Sequence, residues 1–184
     1  MKKLIRISAV LPVVVLMLFF YGCEEWSKDL DEVTMKVPLQ KIVFSPVDEA
    51  EVTKDTSNWY QKEVTFDLDS LMEANDSDYL EEAVLEKLVI GVLQPQNQNL
   101  AFLRNASVNI SLNESFSHQK ELGEVDYVSA NAREVDLSLN EVELDNYLKV
   151  DKFYLRIYFE KRNHIEIQES TKIFLEGMMK MRIE

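Results

Sequence analysis

Behind residue 41 the chain repeatedly alternates apolar and polar residues at period two, the mark of strands with one dry and one wet face. Val64, Phe66 and Leu68 alternate with Thr65 and Asp67, and Val108, Ile110 and Leu112 point inward between outward Asn109 and Ser111. Val135, Leu137 and Leu139 repeat the rhythm. Ile173, Leu175, Met179, Met181 and Ile183 share one parity, with Gly177 at that parity where a bulge or close packing would want it. Residues 42–44 read as a short strand ended by Ser45-Pro46, and residues 88–93 as a central strand covered on both faces and stopped by Pro95. Residues 124–130 are a weaker strand, residues 153–159 the most apolar strand of the C-terminal half, and Ile165 and Ile167 an alternating segment behind it.

Helical signals are few. Residues 69–78 read as a polar loop ending in Asp76-Ser77-Asp78, an N-cap that predicts a short helix over residues 79–85. Residues 145–148 predict a second, one-turn helix. The order strand, helix, strand recurs around Tyr79-Leu80 and Tyr147-Leu148, so two related halves are a further expectation. Together these elements predict an all-β domain: an antiparallel β-sandwich, loosely Ig-like, with one or two short helices. The Cys and Trp hallmarks of true Ig domains are missing.

The beginning of the chain has a different texture. Lys2, Lys3 and Arg6 precede an apolar run over residues 7–20, the charge and length pattern of a secretory signal rather than of a folded element. That run is short for a bilayer span, which needs about 20 residues. Directly behind it stands Phe20-Tyr21-Gly22-Cys23, with the only cysteine of the chain. This stretch resembles the lipobox of bacterial lipoproteins, in the aromatic form found in Bacteroidota-like bacteria. The resemblance implies cleavage before Cys23 and lipidation of its thiol, hence an anchor in the cell envelope, most naturally the outer membrane. The plain alternative is an uncleaved anchor helix with an idle thiol at Cys23. The expected organisation is a signal over residues 1–22, a lipidated flexible tether over residues 23–41, and one domain over residues 42–184. Trp26 in the tether could touch the headgroup region.

Charge and composition narrow the function. Cleavage would remove three basic residues and no acidic ones, moving the formal charge from −13 to −16. Phosphate backbones repel such a chain, so no nucleic-acid partner is expected, and the membrane partner would be held through the lipid on Cys23. With no cysteine left over, stability must come from apolar burial. Four glycines cannot supply Gly-rich phosphate cradles or a nucleophile elbow.

No catalytic residue, metal site or cofactor is assigned. Asp67, Asp69, Asp76 and Asp78 crowd one loop as Ca²⁺ ligands would, but without EF-hand spacing, and a solvated acidic loop is the expected background. His118 and His164 stand apart from any ligand pattern, and Ser115 and Ser117 beside His118 lack the geometry that nucleophile and base need. Trp59 and Tyr60 are the aromatic pair that could contact a protein or glycan partner, the competing reading being the edge of a core. The expected function is thus a non-enzymatic binding or structural module of the envelope. One alternative is a carrier for an apolar ligand, with a cavity lined by Met178, Met179 and Met181, and the least favoured is a hydrolase.

Overall fold

The computed structural model describes residues 33–46, 51–52, 57–163 and 165–184. Among these residues ten strands build two antiparallel sheets: β1 (Val33–Phe44), β2 (Glu51–Val52), β3 (Ser57–Thr65), β4 (Leu80–Gln94), β5 (Leu103–Ser111), β6 (Lys120–Val125), β7 (Glu134–Asp136), β8 (Ser138–Leu139), β9 (Lys152–Lys161) and β10 (Lys172–Ile183). The first sheet has the order β1-β10-β4-β7 and the second β2-β3-β9-β5-β6-β8. The β-sandwich read from the alternation is what forms. Immunoglobulin order makes the first two strands sheet neighbours; here β1 and β2 lie in different sheets, so the likeness stops at the two-sheet architecture.

The alternation decides what lies between the sheets. Ile173, Leu175, Met179, Met181 and Ile183 of β10 are all fully buried, as are Phe153, Leu155, Ile157 and Phe159 of β9 from the opposite side. Gly177 completes the inward row of β10 at a point where three neighbours crowd the backbone. A Cβ there would lie 3.3 Å from Leu39 Cβ, Leu88 Cδ1 and the Lys87 carbonyl, and the register of β1 shifts just past Leu39. The inner void bordered by Leu39, Leu85, Ile110, Phe153 and Met179 measures about 10 Å³, room for one water at most.

Several expectations are corrected. Residues 33–41, read as tether, belong to β1, which pairs along β10 from Val33↔Ile183 to Phe44↔Ile173. Pro38 obscured the strand in the sequence, but an edge strand has backbone N–H groups with no ladder to serve and tolerates proline. Residues 79–85, read as a helix, are the start of β4, paired as Leu80↔Ile183, Ala83↔Met181 and Leu85↔Met179. The first helix lies earlier, inside the expected polar loop: α1 (Leu68–Glu73) is capped by Asp67, whose Oδ1 accepts the Ser70 backbone N–H at 2.9 Å. The second, α2 (Asp145–Leu148), stands where the sequence placed it. Tyr79-Leu80 leads into a strand whereas Tyr147-Leu148 is helical, which removes the correspondence on which two related halves rested.

The strand expected over residues 124–130 is instead β6, and the segment of Ile165 and Ile167 forms no strand. Within the alternation around Leu137, the chain changes sheets: β7 pairs with β4 and β8 with β6, with Leu137 buried at the crossing. Leu112, expected inward, is 49% exposed. Asn109 and Ser111 are buried although they face outward, because the loop after β5 returns over them.

Candidate functional site

Trp59 and Tyr60 are neighbours on β3, so the period-two geometry of a strand sends them to opposite faces. Tyr60 turns inward and stacks on Phe44, ring centres 4.4 Å apart and planes within 4°. Trp59 turns outward, half-buried, onto the exposed face of the second sheet. They do not form one surface: Tyr60 is core, and only Trp59 is available to a partner.

The outward face around Trp59 is assembled by cross-strand register. Trp59 stands opposite Tyr158, Gln61 opposite Arg156 and Glu63 opposite Tyr154, while Ser107 and Asn109 of β5 flank Tyr158 and Arg156 on the other side. At its centre is the Arg156 guanidinium. Its carbon lies 3.9 Å from the Phe116 ring centre, 4.4 Å from that of Trp59 and 5.9 Å from that of Tyr158. Nε and Nη2 donate to Gln61 Oε1 at 3.2 and 2.6 Å, and Nη1 donates to the Tyr158 hydroxyl oxygen at 3.1 Å. No carboxylate among the described residues pairs with it.

Phe116 reaches Arg156 from the loop between β5 and β6. Its φ of 55° is a left-handed conformation that is uncommon for a residue with a side chain, and its ring is buried on an otherwise outward face. Below this cluster Glu63 accepts from Lys152 Nζ at 2.8 Å and from the Tyr154 hydroxyl at 3.1 Å. The lysine bond chiefly lowers the Glu63 pKa from its ordinary value, and the same bond raises that of Lys152. The register itself was open to sequence reasoning, since β9 buries Phe153, Leu155, Ile157 and Phe159 and must therefore present Tyr154, Arg156 and Tyr158 together. The arrival of Phe116 from a loop carries no such signal.

The remaining candidates are dispersed. Asp67 is spent as the α1 cap, and Asp76 sits at φ 52° in the turn behind it. Asp69, Asp76 and Asp78 line an open cleft of about 530 Å³ at the end of the sandwich, together with Met72 and Tyr79. Lys149 Nζ lies 5.2 Å from the Tyr79 ring centre there. Among the described residues no three His, Cys, Asp or Glu side chains converge as a metal site. Ser115 and Ser117 donate to Asn113 Oδ1 at 2.8 and 3.4 Å, while His118 stands exposed beside them. Met179 and Met181 are core, Met178 lies on the outer face of the first sheet, and the 10 Å³ void falls far short of the several hundred Å³ an apolar ligand needs. Cys23, Trp26 and His164 lie outside the described residues.

No protein-family model and no curated protein matches this sequence. Among solved structures, the chain is similar to one of Desmodium yellow mottle tymovirus at 13% identity, covering 82% of this chain and 87% of that one with a TM-score of 0.31. It is similar to a chain of turnip yellow mosaic virus at 16% identity (81% and 93%, TM-score 0.28) and to the decameric BFDV capsid protein at 8% identity (83% and 99%, TM-score 0.35).

Proposed function

We propose that this chain is a lipid-anchored protein of the bacterial envelope, acylated at Cys23 and held at the outer membrane, whose β-sandwich serves as a non-enzymatic binding or structural module. The observation that carries the reading is the sequence Gly22-Cys23 directly behind a basic segment and an apolar run, at the only cysteine in 184 residues. A thioether-linked diacylglycerol with an acyl chain on the new amino terminus supplies the two hydrophobic signals that stable anchoring needs. Residues 33–41 belong to β1, so the proposed tether is confined to residues 23–32. Strand β1 begins at Val33, so the ten residue steps from Cys23 reach at most about 35 Å.

For a partner, protein or glycan, the outward face around Trp59 is the surface that fits, since its rings and hydrogen-bonding groups are fixed by strand register. Tyr60 drops out of that role because it packs on Phe44. The anchor is tested by replacing Cys23 with Ser and following partition into the membrane fraction with electrophoretic mobility. Loss of outer-membrane partition and an unprocessed, slower-migrating chain that keeps its apolar run are expected; unchanged partition and mobility would sink the lipid anchor.

A further inference from the structure

Among the described residues, Arg156 stands on the outward face with its hydrogen-bonding capacity only partly used. A guanidinium has five N–H donors. Three of its bonds go to Gln61 and Tyr158, which leaves two donors without an acceptor among the described residues. Its neighbours are aromatic faces and neutral oxygens, on a protein whose formal charge is −13. The only acids on the two strands that carry this cluster, Glu63 on β3 and Glu160 on β9, are already engaged, with Lys152 at 2.8 Å and Arg104 at 2.8 Å. The cation is therefore oriented by Phe116 and Trp59, with no carboxylate in salt-bridge distance among the described residues.

We infer that Arg156 is the anion-reading centre of this face, and that its ligand is a carboxylate-bearing sugar of the uronic-acid class. This rests on the reading of the outward face as a binding surface. Two free N–H donors match the two oxygens of one carboxylate, the pairing for which the planar guanidinium fork is suited. Trp59 and Tyr158 place indole and phenol rings beside that carboxylate, where the C–H face of a sugar ring packs. Ser107, opposite Tyr158, adds a hydroxyl for the sugar's own hydroxyls. The overall negative charge does not forbid the contact, because repulsion from distant charges is screened beyond about 8 Å at physiological salt. On the outward face of β3 and β9, Lys152 and Arg156 balance Glu63 and Glu160, so the charge around the guanidinium is locally neutral rather than negative.

The test compares an oligogalacturonate with its methyl ester and with a neutral oligosaccharide of equal length, by calorimetric titration of the full chain in detergent micelles. The free acid is expected to bind at least about tenfold more tightly than the ester, as a charge-assisted contact predicts. Arg156→Lys, which keeps the charge and loses the fork, should weaken the acid about tenfold or more while leaving the ester unchanged. Trp59→Ala should weaken both. Equal affinity for acid and ester overturns the inference, and because this comparison uses the unaltered chain it decides the matter even where a variant does not fold. A neutral sugar bound as well as the acid, and insensitive to Arg156→Lys, overturns the role of Arg156 but leaves the face as a glycan surface. Absence of binding to all three overturns the ligand class; the Cys23→Ser partition decides the envelope reading separately.

Discussion

The opposite facing of Trp59 and Tyr60 makes a quantitative prediction about two adjacent alanine substitutions. Tyr60→Ala empties space between the sheets. Removing a large buried aromatic side chain costs about 3–5 kcal/mol, and a stacked ring pair such as Tyr60 on Phe44 adds about 0.5–1.5 kcal/mol beyond area. Tyr60 is half-buried rather than enclosed, which brings the expected loss to about 2–4 kcal/mol. For a chain of this size each kcal/mol lowers Tm by about 2–4 °C, so a fall of about 5–15 °C is expected. Trp59→Ala removes a ring from the wet face and its contact with Arg156, which is worth about 0.5–1 kcal/mol when partly exposed. Its Tm should move by no more than about 4 °C. Thermal unfolding followed by circular dichroism, with a denaturant titration at 25 °C as a second measure, separates the two. Tyr60→Phe keeps the stack and should recover most of the loss. Equal destabilisation by both alanines would refute the facing of β3.

Three further outcomes follow from the packing and the titrating groups. Gly91 lies under the Phe174 ring, where an added Cβ would stand 2.6 Å from two ring atoms and 2.9 Å from Glu134 Cγ; Gly91→Ala should cost about 1–3 kcal/mol and Phe174→Leu should recover part of it, whereas additive losses in a double-mutant cycle would show that the ring is not the obstacle. The Asp67 carboxylate accepts the Ser70 hydroxyl and backbone N–H, which hold its pKa below the ordinary 3.8. A lowered folded pKa means its contribution is present above the unfolded value and lost as pH falls through the folded one, so Asp67→Asn should flatten the acid limb of the stability curve, and a carboxyl titration midpoint at or above 3.8 would refute this. Burial raises the Tyr147 phenol above 10.0, so the unfolded state ionises first and stability should fall as pH rises past about 10. Tyr147→Phe should remove that dependence; tyrosinate absorbance in the folded chain appearing at the ordinary pH would count against it.

The elements most legible in the sequence are those whose period is unbroken. Strand β10 reads true from Ile173 to Ile183, and β9 from Phe153 to Phe159, because each lies centrally in its sheet with one face wholly dry. Strand β4 was not legible at its start, for a physical reason. Its register against β10 skips Glu81, Glu86 and Leu93, so three extra residues bulge from it. Each bulge shifts parity by one, and the inward residues Leu80, Ala83, Leu85 and Leu88 fall at spacings of three, two and three. A spacing of three mixed with two imitates a helical face, and Asp76-Ser77-Asp78 ahead of it imitates a cap. Pairing with β10 overrides both. The outward face around Arg156 was half legible: Trp59 stood out as an aromatic, but its partner Arg156 was hidden in a strand read only for its apolar residues. The loop that folds Phe116 back depends on a left-handed residue that no pattern announces.

The position of β1 also has a mechanical meaning. Among the described residues it is an edge strand joined to its sheet by β10 alone, through ten paired positions, and its first residue is the one nearest Cys23 in sequence. With the acyl anchor proposed above, tension between the membrane and a ligand on the second sheet would enter at Val33 and run along the strand axis. The ladder to β10 would then be loaded in shear, its hydrogen bonds sharing the force side by side rather than opening one after another from an end. Under that proposal a twelve-residue edge strand would act as a splice, the joint at which pulling force is spread into the sandwich.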